Sequence, residues 1–401
     1  KGQKNDIAAI TDAELFDKLH RHDSVLSENQ ILARLAMENP ERGIAGNVTE
    51  LQRIYHHPEI LEVAPPQQAE AGERHSKHPR KVFKQARWTT KGMVKMEQAT
   101  LNLALDHRDD PRFVLDQKVV DRHIQALDEQ IKSYQQANLD KLTAKLAELK
   151  KQGKTTTAKQ QAKFEQYQAK AVQGASNEQK QAVNHILTTP GRVQIVQGRA
   201  GTGKTTLTQA VSDAYQEAGF TVLGASTGWR ASRQLEADVN AKKSAHDPKQ
   251  VKAKAIAKLN RDIDKGKQVV NNKTVLIIDE AGMVSTRDGY GVMSKVIKAG
   301  GKVLLQGDHL QLQAVGAGGM MRSLMDKVGY TELKQIVRQS KAADRQTADL
   351  FYTGTEQKKG SRTVDQSRKL GKQLFQRLAA RNQISTAKDD AAAIQSLVKD
   401  W

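Results

Sequence analysis

The sequence predicts an α/β protein, with a parallel sheet covered by helices, preceded by a mostly helical segment and a long helical hairpin. Two observations carry this reading. From Ser176 to about Arg338, short strands of the fully buried type, Val193–Val196, Thr221–Leu223, Val275–Ile278 and Val303–Leu305, alternate with stretches of helical period. That alternation is the pattern of strands joined by helical crossovers. The first of these strands also runs into the glycine-rich turn Gly198-Arg199-Ala200-Gly201-Thr202-Gly203-Lys204-Thr205, and a helix-compatible segment from Thr206 to Ala218 follows it. Ligands of such sheets bind at the C-terminal ends of the strands, where this turn lies.

Composition bounds the rest. A chain of 401 residues exceeds what one hydrophobic core usually organises, so two or three domains are expected. The net charge of +19 and a pI near 9.8 favour a polyanionic partner, nucleic acid first, because a basic surface gains affinity by releasing condensed counterions. The chain has no cysteine, which excludes disulfides and thiolate metal sites and suits a reducing cytoplasm. No apolar run approaches the length of a spanning helix and the first residues lack the apolar core of a signal peptide, so membrane insertion is not expected. A chain opening on Lys1 reads as processed, or as a piece of something longer.

Residues 1–115 read as a small, mostly helical domain. Ser27, followed by Glu28 and Asn29 ahead of Ile31-Leu32-Ala33-Arg34-Leu35, is a capped helix start. Val63 to Arg80, with Pro65-Pro66 and no periodicity, reads as a turn or exposed loop. Val82 to Thr90 alternates as a strand, and Met93 to Leu105 returns to helical spacing. His56-His57 lacks ligand spacing, and His75 and His78 have no third ligand beside them, so no metal site is expected there.

Residues 116–175 read as a helical hairpin. Ile124, Leu127, Ile131 and Tyr134, then Leu142, Leu146 and Leu149, fall close to heptad spacing. Gly153 and Thr155-Thr156-Thr157 interrupt the run, and Ala158 to Val172 returns antiparallel. The stripe is narrow and rich in Gln and Lys, which fits a solvated spacer, with an arm for a partner or DNA as the other reading.

The chemistry lies in residues 176–340. In the loop, Gly198, Gly201 and Gly203 let the backbone curl its N–H groups toward phosphate oxygens. Lys204 reaches the β- and γ-phosphates, Thr205 is placed to ligate Mg²⁺, and Thr206 completes the nucleotide-binding set. Val275-Leu276-Ile277-Ile278-Asp279-Glu280 is a buried strand ending in two carboxylates, about 75 residues beyond Lys204. Asp279 is the metal-side acid, and Glu280 is placed to orient or deprotonate the water attacking the γ-phosphate. After the next strand, Gln311 can hydrogen-bond γ-phosphate or water. Arg338 suits developing phosphoryl charge, and the Gln179 amide can read an adenine edge. Individually, these three are equally at home as surface polar residues.

Their order and wording carry a resemblance. Gln179, the loop Gly198–Thr206, Gly224-Ala225-Ser226-Thr227-Gly228-Trp229-Arg230-Ala231, Asp279-Glu280-Ala281-Gly282-Met283-Val284, Gly307-Asp308-His309-Leu310-Gln311-Leu312 and Val337-Arg338-Gln339 resemble successive motifs of RecD-like superfamily 1 helicases. They are most similar to the helicase portion of MobF-class (TraI/TraA-type) conjugative relaxase-helicases. A weaker likeness extends to Ser24–Ile31, Arg87–Met93 with Glu97, and the tail Asp389–Trp401.

The resemblance implies a RecA-like motor lobe in which ATP and Mg²⁺ drive 5′→3′ movement on single-stranded DNA. It gives Gln179 to adenine, Lys204 and Thr205 to phosphate and Mg²⁺, and Asp279 and Glu280 to the metal and the water. Gln311 becomes the γ-phosphate sensor, Arg338 the charge stabiliser and Thr227 a DNA contact. Trp229 departs from the family, where a smaller or basic residue is usual; base stacking and packing are both open to it. Residues 341–401 would lead toward a second motor domain, whose later motifs have no counterpart before Trp401, so this chain alone is expected to be a poor helicase; no relaxase histidine cluster with a nucleophilic tyrosine is present. Relaxosome or type IV secretion components are candidate partners. The alternatives are a single-stranded-DNA binding or loading module with little unwinding, and a repair helicase without a relaxase.

Overall fold

The computed structural model describes residues 11–21, 23–64, 67–68, 83–84, 86–153, 155–244, 247–311 and 318–335. In a second unit it describes 342–350, 352, 364–381 and scattered positions beyond. The two units divide between Gln335 and Ile336.

The first unit opens with α1 (Asp12–Leu19), β1 (Leu26–Ser27), α2 (Glu28–Glu38) and α3 (Gly43–Tyr55). Ser27 is the N-cap of α2: its hydroxyl accepts from the Gln30 N–H, and the Gln30 side chain returns the bond in a capping box. The chain continues through β2 (Ile60–Ala64), β3 (Gln67–Gln68), β4 (Phe83–Lys84), β5 (Arg87–Thr90) and α4 (Lys91–Leu105). Strand β5 lies antiparallel between β1 and β2, and Leu15, Leu19, Leu35, Leu51 and Ile54 bury the helices against this sheet. The single strand expected over Val82–Thr90 is two: β4 pairs with β3 in a separate ribbon, and β5 turns into the other sheet. Period-2 alternation persists across such a change of partner, so pattern alone does not reveal it.

Helix α5 (Gln117–Lys151) runs for 35 residues, and α6 (Ala158–Ala171) returns along it. The turn comes at Gly153, with φ of 68°, and at Thr157, which caps α6 in a box with Gln160. The expected hairpin is present, but its first half is no spacer. Val120 and Leu127 are fully buried in the core beneath the large sheet, and Ile124 and Ile131 pack against it. The core therefore crosses position 176, the expected edge of the motor domain.

From there the chain alternates through α7 (Asn177–Thr188), β6 (Val193–Gly198), α8 (Lys204–Glu217), β7 (Thr221–Ser226), α9 (Trp229–Val239), β8 (Lys252–Ala255), α10 (Ile256–Asp264), β9 (Thr274–Ile278), α11 (Thr286–Lys298), β10 (Lys302–Gly307), α12 (Met320–Val328) and β11 (Thr331–Leu333). The six strands form a parallel sheet in the order β11-β6-β10-β9-β7-β8. All four expected strands are there, and every residue of β6, β9 and β10 is buried, as strands covered on both faces must be. The two strands not foreseen are the edges. Lys252-Ala253-Lys254-Ala255 carries no large apolar side chain and Thr331–Leu333 has three residues, so neither shows a buried-strand pattern.

One face of the sheet is covered by α5, α7, α8 and α9, around Ile186, Val211, Tyr215 and Leu235. The other is covered by α4, α10, α11 and α12, around Ala104, Leu259, Val296 and Met321. Each face buries well over a dozen apolar side chains, at roughly 1.5–3 kcal/mol apiece before conformational entropy is charged against them. In the second unit α13 (Ala342–Leu350) and α14 (Val364–Ala379) pack together, and Arg381 Nη1 donates to Asp344 Oδ1 at 2.9 Å.

Candidate active site

The glycine loop leaves the C-terminal end of β6 and feeds α8, whose N-cap Gly203 has φ of 83°; Gly201 has φ of 82°. These left-handed conformations strain any residue with a Cβ, so two of the three glycines are fixed by backbone geometry. The third is fixed by space, since a Cβ on Gly198 would stand 2.8 Å from the Lys204 Cγ and Cδ. Lys204 curls over that gap, and its Nζ donates to Gly198 O at 2.6 Å and reaches Arg199 O at 3.4 Å. Thr205 is exposed in the first turn of α8 and Thr206 is partly buried.

The sheet order decides what faces the loop. Central strand β10 lies between β6 and β9, so its last side chains stand between the glycine loop and Asp279. Gln306, buried to 1% exposure, uses that position. Its Nε2 donates to Asp279 Oδ1 at 3.0 Å, and its Oε1 accepts from Thr208 Oγ at 2.6 Å. Thr208 also lies 2.8 Å from Lys204 O, and its single hydrogen serves one acceptor at a time. A chain of polar groups thus runs from the start of α8 through Gln306 to Asp279. One oxygen of Asp279 takes this bond, and the residue is only partly buried. Its carboxylate and the Thr205 hydroxyl are oxygen donors of the kind Mg²⁺ prefers.

Glu280 follows in the left-handed region with φ of 52°, unique among non-glycine positions in the described residues. The backbone on either side packs closely: a Cβ on Gly307 would stand 2.9 Å from the backbone nitrogens of Ala281 and Gly282, and one on Gly282 would stand 2.7 Å from Asp308 O. Backbone strain of this kind costs about 1–3 kcal/mol and concentrates at functional sites.

Gln311 stands exposed just beyond β10, with its Nε2 3.1 Å from Asp308 Oδ2. Asp308 is itself buried, accepting from Gln197 Nε2 at 2.9 Å and the Leu310 N–H at 3.0 Å. The Gln197 Oε1 accepts from the His309 N–H at 3.2 Å, which ties the end of β6 to this turn. Burial pushes the His309 imidazole below its ordinary value.

Gln179 is brought to the glycine loop and is 3% exposed. Its Oε1 accepts from the Ser176 N–H at 3.0 Å in a capping box, and its Nε2 lies 3.4 Å from Thr202 O. The amide retains one N–H and one lone pair for a ligand. Arg338 lies outside the described residues, as do His75 and His78. Thr227 and Trp229 follow β7 on the same edge of the sheet as the glycine loop. Trp229 is 61% exposed, which removes the packing role, and the Arg233 guanidinium lies 4.7 Å from its ring centroid. His56 and His57 are engaged locally, His56 Nδ1 at 2.8 Å from Gln52 O and His57 Nε2 at 3.5 Å from Asp12.

Gln306, Thr208, Gln197 and Asp308 were not singled out from the sequence. The signal for Gln306 was available, since a lone amide closes the otherwise apolar strand Val303–Leu305 and precedes a glycine.

A glycine loop over the edge of a parallel sheet, facing a strand-end carboxylate pair, defines a nucleotide-binding ATPase domain. Residues 174–372 match the AAA domain family. The conjugal transfer protein TraA of Agrobacterium fabrum is 30% identical over 228 residues, 57% of this chain and 18% of that protein. The multifunctional conjugation protein TraI of Escherichia coli K12 is 29% identical over 168 residues, 40% of this chain and 9% of that one. The ATP-dependent RecD2 DNA helicase of Deinococcus radiodurans is 30% identical over 182 residues, 43% of this chain and 23% of its own length. Over these residues the chain is similar to RecD-like superfamily 1 helicase domains and to conjugal transfer proteins. It spans less than a fifth of the length of the conjugal transfer relatives it matches. No helix among the described residues is long and apolar enough to cross a membrane.

Proposed function

We propose that this chain is the ATP-hydrolysing DNA motor module of a conjugative relaxase-helicase, moving 5′→3′ on single-stranded DNA. The observation that supports it best is the polar chain Thr208–Gln306–Asp279, which places the helix that follows the glycine loop and the carboxylate end of β9 on one cleft.

In this reading the Lys204 ammonium leaves Gly198 O and Arg199 O for the β- and γ-phosphates, while the N–H groups around Gly201 and Gly203 face the same oxygens. Thr205 and Asp279 would hold Mg²⁺, which would supply positive charge to offset that of the phosphates. Gln306 fixes the orientation of the Asp279 carboxylate. Glu280 takes the proton of the attacking water. Gln311 senses the γ-phosphate, Arg338 stabilises the developing charge, and Gln179 reads the adenine edge. Thr227 and Trp229 contact the DNA, Trp229 by stacking. Relaxosome and secretion components remain candidate partners on the strength of the conjugal transfer relatives.

The test is ATP turnover with and without single-stranded oligonucleotides, together with displacement of streptavidin from 3′- or 5′-biotinylated strands. Stimulated turnover and preferential displacement at the 3′ end are expected. Turnover indifferent to DNA would leave a binding or loading module as the better account.

A further inference from the structure

The hairpin α5/α6 projects from the edge of the motor that carries the nucleotide cleft. Arg122 and His123, near the start of α5, pair with Glu217 at the end of α8, at 2.5 and 2.9 Å. Farther along, Gln130 Nε2 donates to Gln209 Oε1 at 2.8 Å, close to the start of α8. The two helices therefore run antiparallel, and α5 draws level with the glycine loop near Tyr134, which is 67% exposed. The rest of α5, to Lys151, carries on past the edge of the sheet for about 25 Å at 1.5 Å per residue.

The root of this arm is held tightly. Asp128 accepts from the Ala175 N–H at 3.0 Å and pairs with Lys132 and Lys180, each at 2.7 Å. These partners hold its carboxyl well below the ordinary range, at about 2. Gly174 lies so close that a Cβ there would stand 2.2 Å from Asp128 Oδ1.

Beyond the root the arm is basic. Between Lys132 and Val172 there are eight lysines, three carboxylates and no arginine. Lys141, Lys145, Lys150, Lys151 and Lys163 stand exposed, while Leu142, Leu146, Leu149, Phe164 and Tyr167 are half-buried where the two helices pack. A seam this narrow explains how the hairpin holds together but gives no reason for its charge. The arm also shares the sheet face and the sheet edge of Trp229, Arg230 and Arg233, at the start of α9. Net positive charge on a projection that shares a sheet face and edge with an exposed aromatic–arginine pair is complementary to a nucleic-acid backbone.

We infer that the α5/α6 hairpin is a nucleic-acid arm whose lysines grip the phosphates of the strand engaged by the motor edge. The inference rests on the reading of the chain as a DNA motor. It assigns to the arm a share of affinity separate from the glycine loop and from Trp229. Because the contacts are to phosphates, they tolerate any sequence and are lost with added salt.

The test is the salt dependence of binding to a fluorescent single-stranded oligonucleotide. It compares the chain as it stands with K141Q/K145Q/K150Q/K151Q and with a control at the opposite edge of the sheet, K265Q/K267Q/K273Q. Thermal midpoints establish that all three are folded. The slope of log affinity against log salt should fall by about 0.7 for each engaged lysine in the arm variant and stay unchanged in the control. A separate deletion of residues 136–169, closed by a glycine-serine link, should flatten the slope at least as far. Equal slopes in the unaltered chain and both arm variants overturn the arm. No affinity for the oligonucleotide in the unaltered chain at any salt overturns the motor reading instead.

Discussion

Gln306 Nε2 donates to Asp279 Oδ1 across 3.0 Å, from the last turn-ward side chain of one buried strand to the carboxylate that closes its neighbour. The same amide accepts from Thr208 at 2.6 Å, so a change at Gln306 touches both the carboxylate and the first turns of α8. Replacement by Leu keeps the volume and removes both bonds. A hydrogen bond to a charged group is worth about 1.5–3 kcal/mol, so kcat for ATP should fall roughly ten- to a hundredfold. Gln306→Glu should fall further, because a second carboxylate would face Asp279. Steady-state turnover of both variants checks this.

Glu280 holds the left-handed conformation without being glycine. Gly and Ala both remove its carboxylate, so comparing them isolates the backbone. Glu280→Gly should be more stable than Glu280→Ala by about 1 kcal/mol, and both should lose hydrolysis. Denaturant midpoints read the first difference and turnover reads the second.

Lys302 lies far from the cleft, at the start of β10, and is completely buried. Its Nζ donates to Ile186 O at 3.3 Å and sits 5.4 Å from the Tyr215 ring centroid and 5.9 Å from that of Phe113. Burial pushes its ammonium down to about 7 from an ordinary 10.5, against the opposing attraction of Asp110. The folded chain therefore binds fewer protons at Lys302 than the unfolded chain between those two values. Stability should rise with pH through that window, by up to about 1.4 kcal/mol per unit from this group. Lys302→Met should raise the melting temperature at pH 7 and flatten the rise between pH 7 and 10. Thermal melts across that range provide the measurement.

Trp229 offers an exposed indole under the Arg233 guanidinium. Base stacking on an aromatic side chain is worth about 1–3 kcal/mol, so Trp229→Ala should weaken single-stranded DNA binding about tenfold or more. Trp229→Phe should recover part of it. Fluorescence anisotropy at fixed salt separates the three.

The parts of this molecule that local chemistry dictates were legible in the sequence. Gly201 and Gly203 need positive φ, Val275–Ile278 needs two covering layers, and Ser27 needs a partner three residues on; each is a short-range demand written in adjacent letters. What depends on sheet order was not legible. Gln306 matters because β10 inserts between β6 and β9, and no spacing along the chain encodes that insertion. Edge strand Lys252–Ala255 is held by backbone pairing with β7 rather than by apolar side chains, so it leaves no hydrophobic trace. The first half of α5 departs from the spacer expectation for a similar reason. Its heptad-like stripe predicts a helix, but only the fold reveals that Val120 and Leu127 face α7 and α8 rather than α6.

The measurement that bears most directly on the central claim is ATP turnover at saturating single-stranded DNA, in the unaltered chain and in Lys204→Ala. The account predicts DNA-stimulated turnover that disappears with the lysine, while oligonucleotide affinity stays within a few-fold, because Lys204 is engaged with Gly198 O in the nucleotide cleft and is not among the residues assigned to DNA. Equal turnover in the two proteins would contradict it.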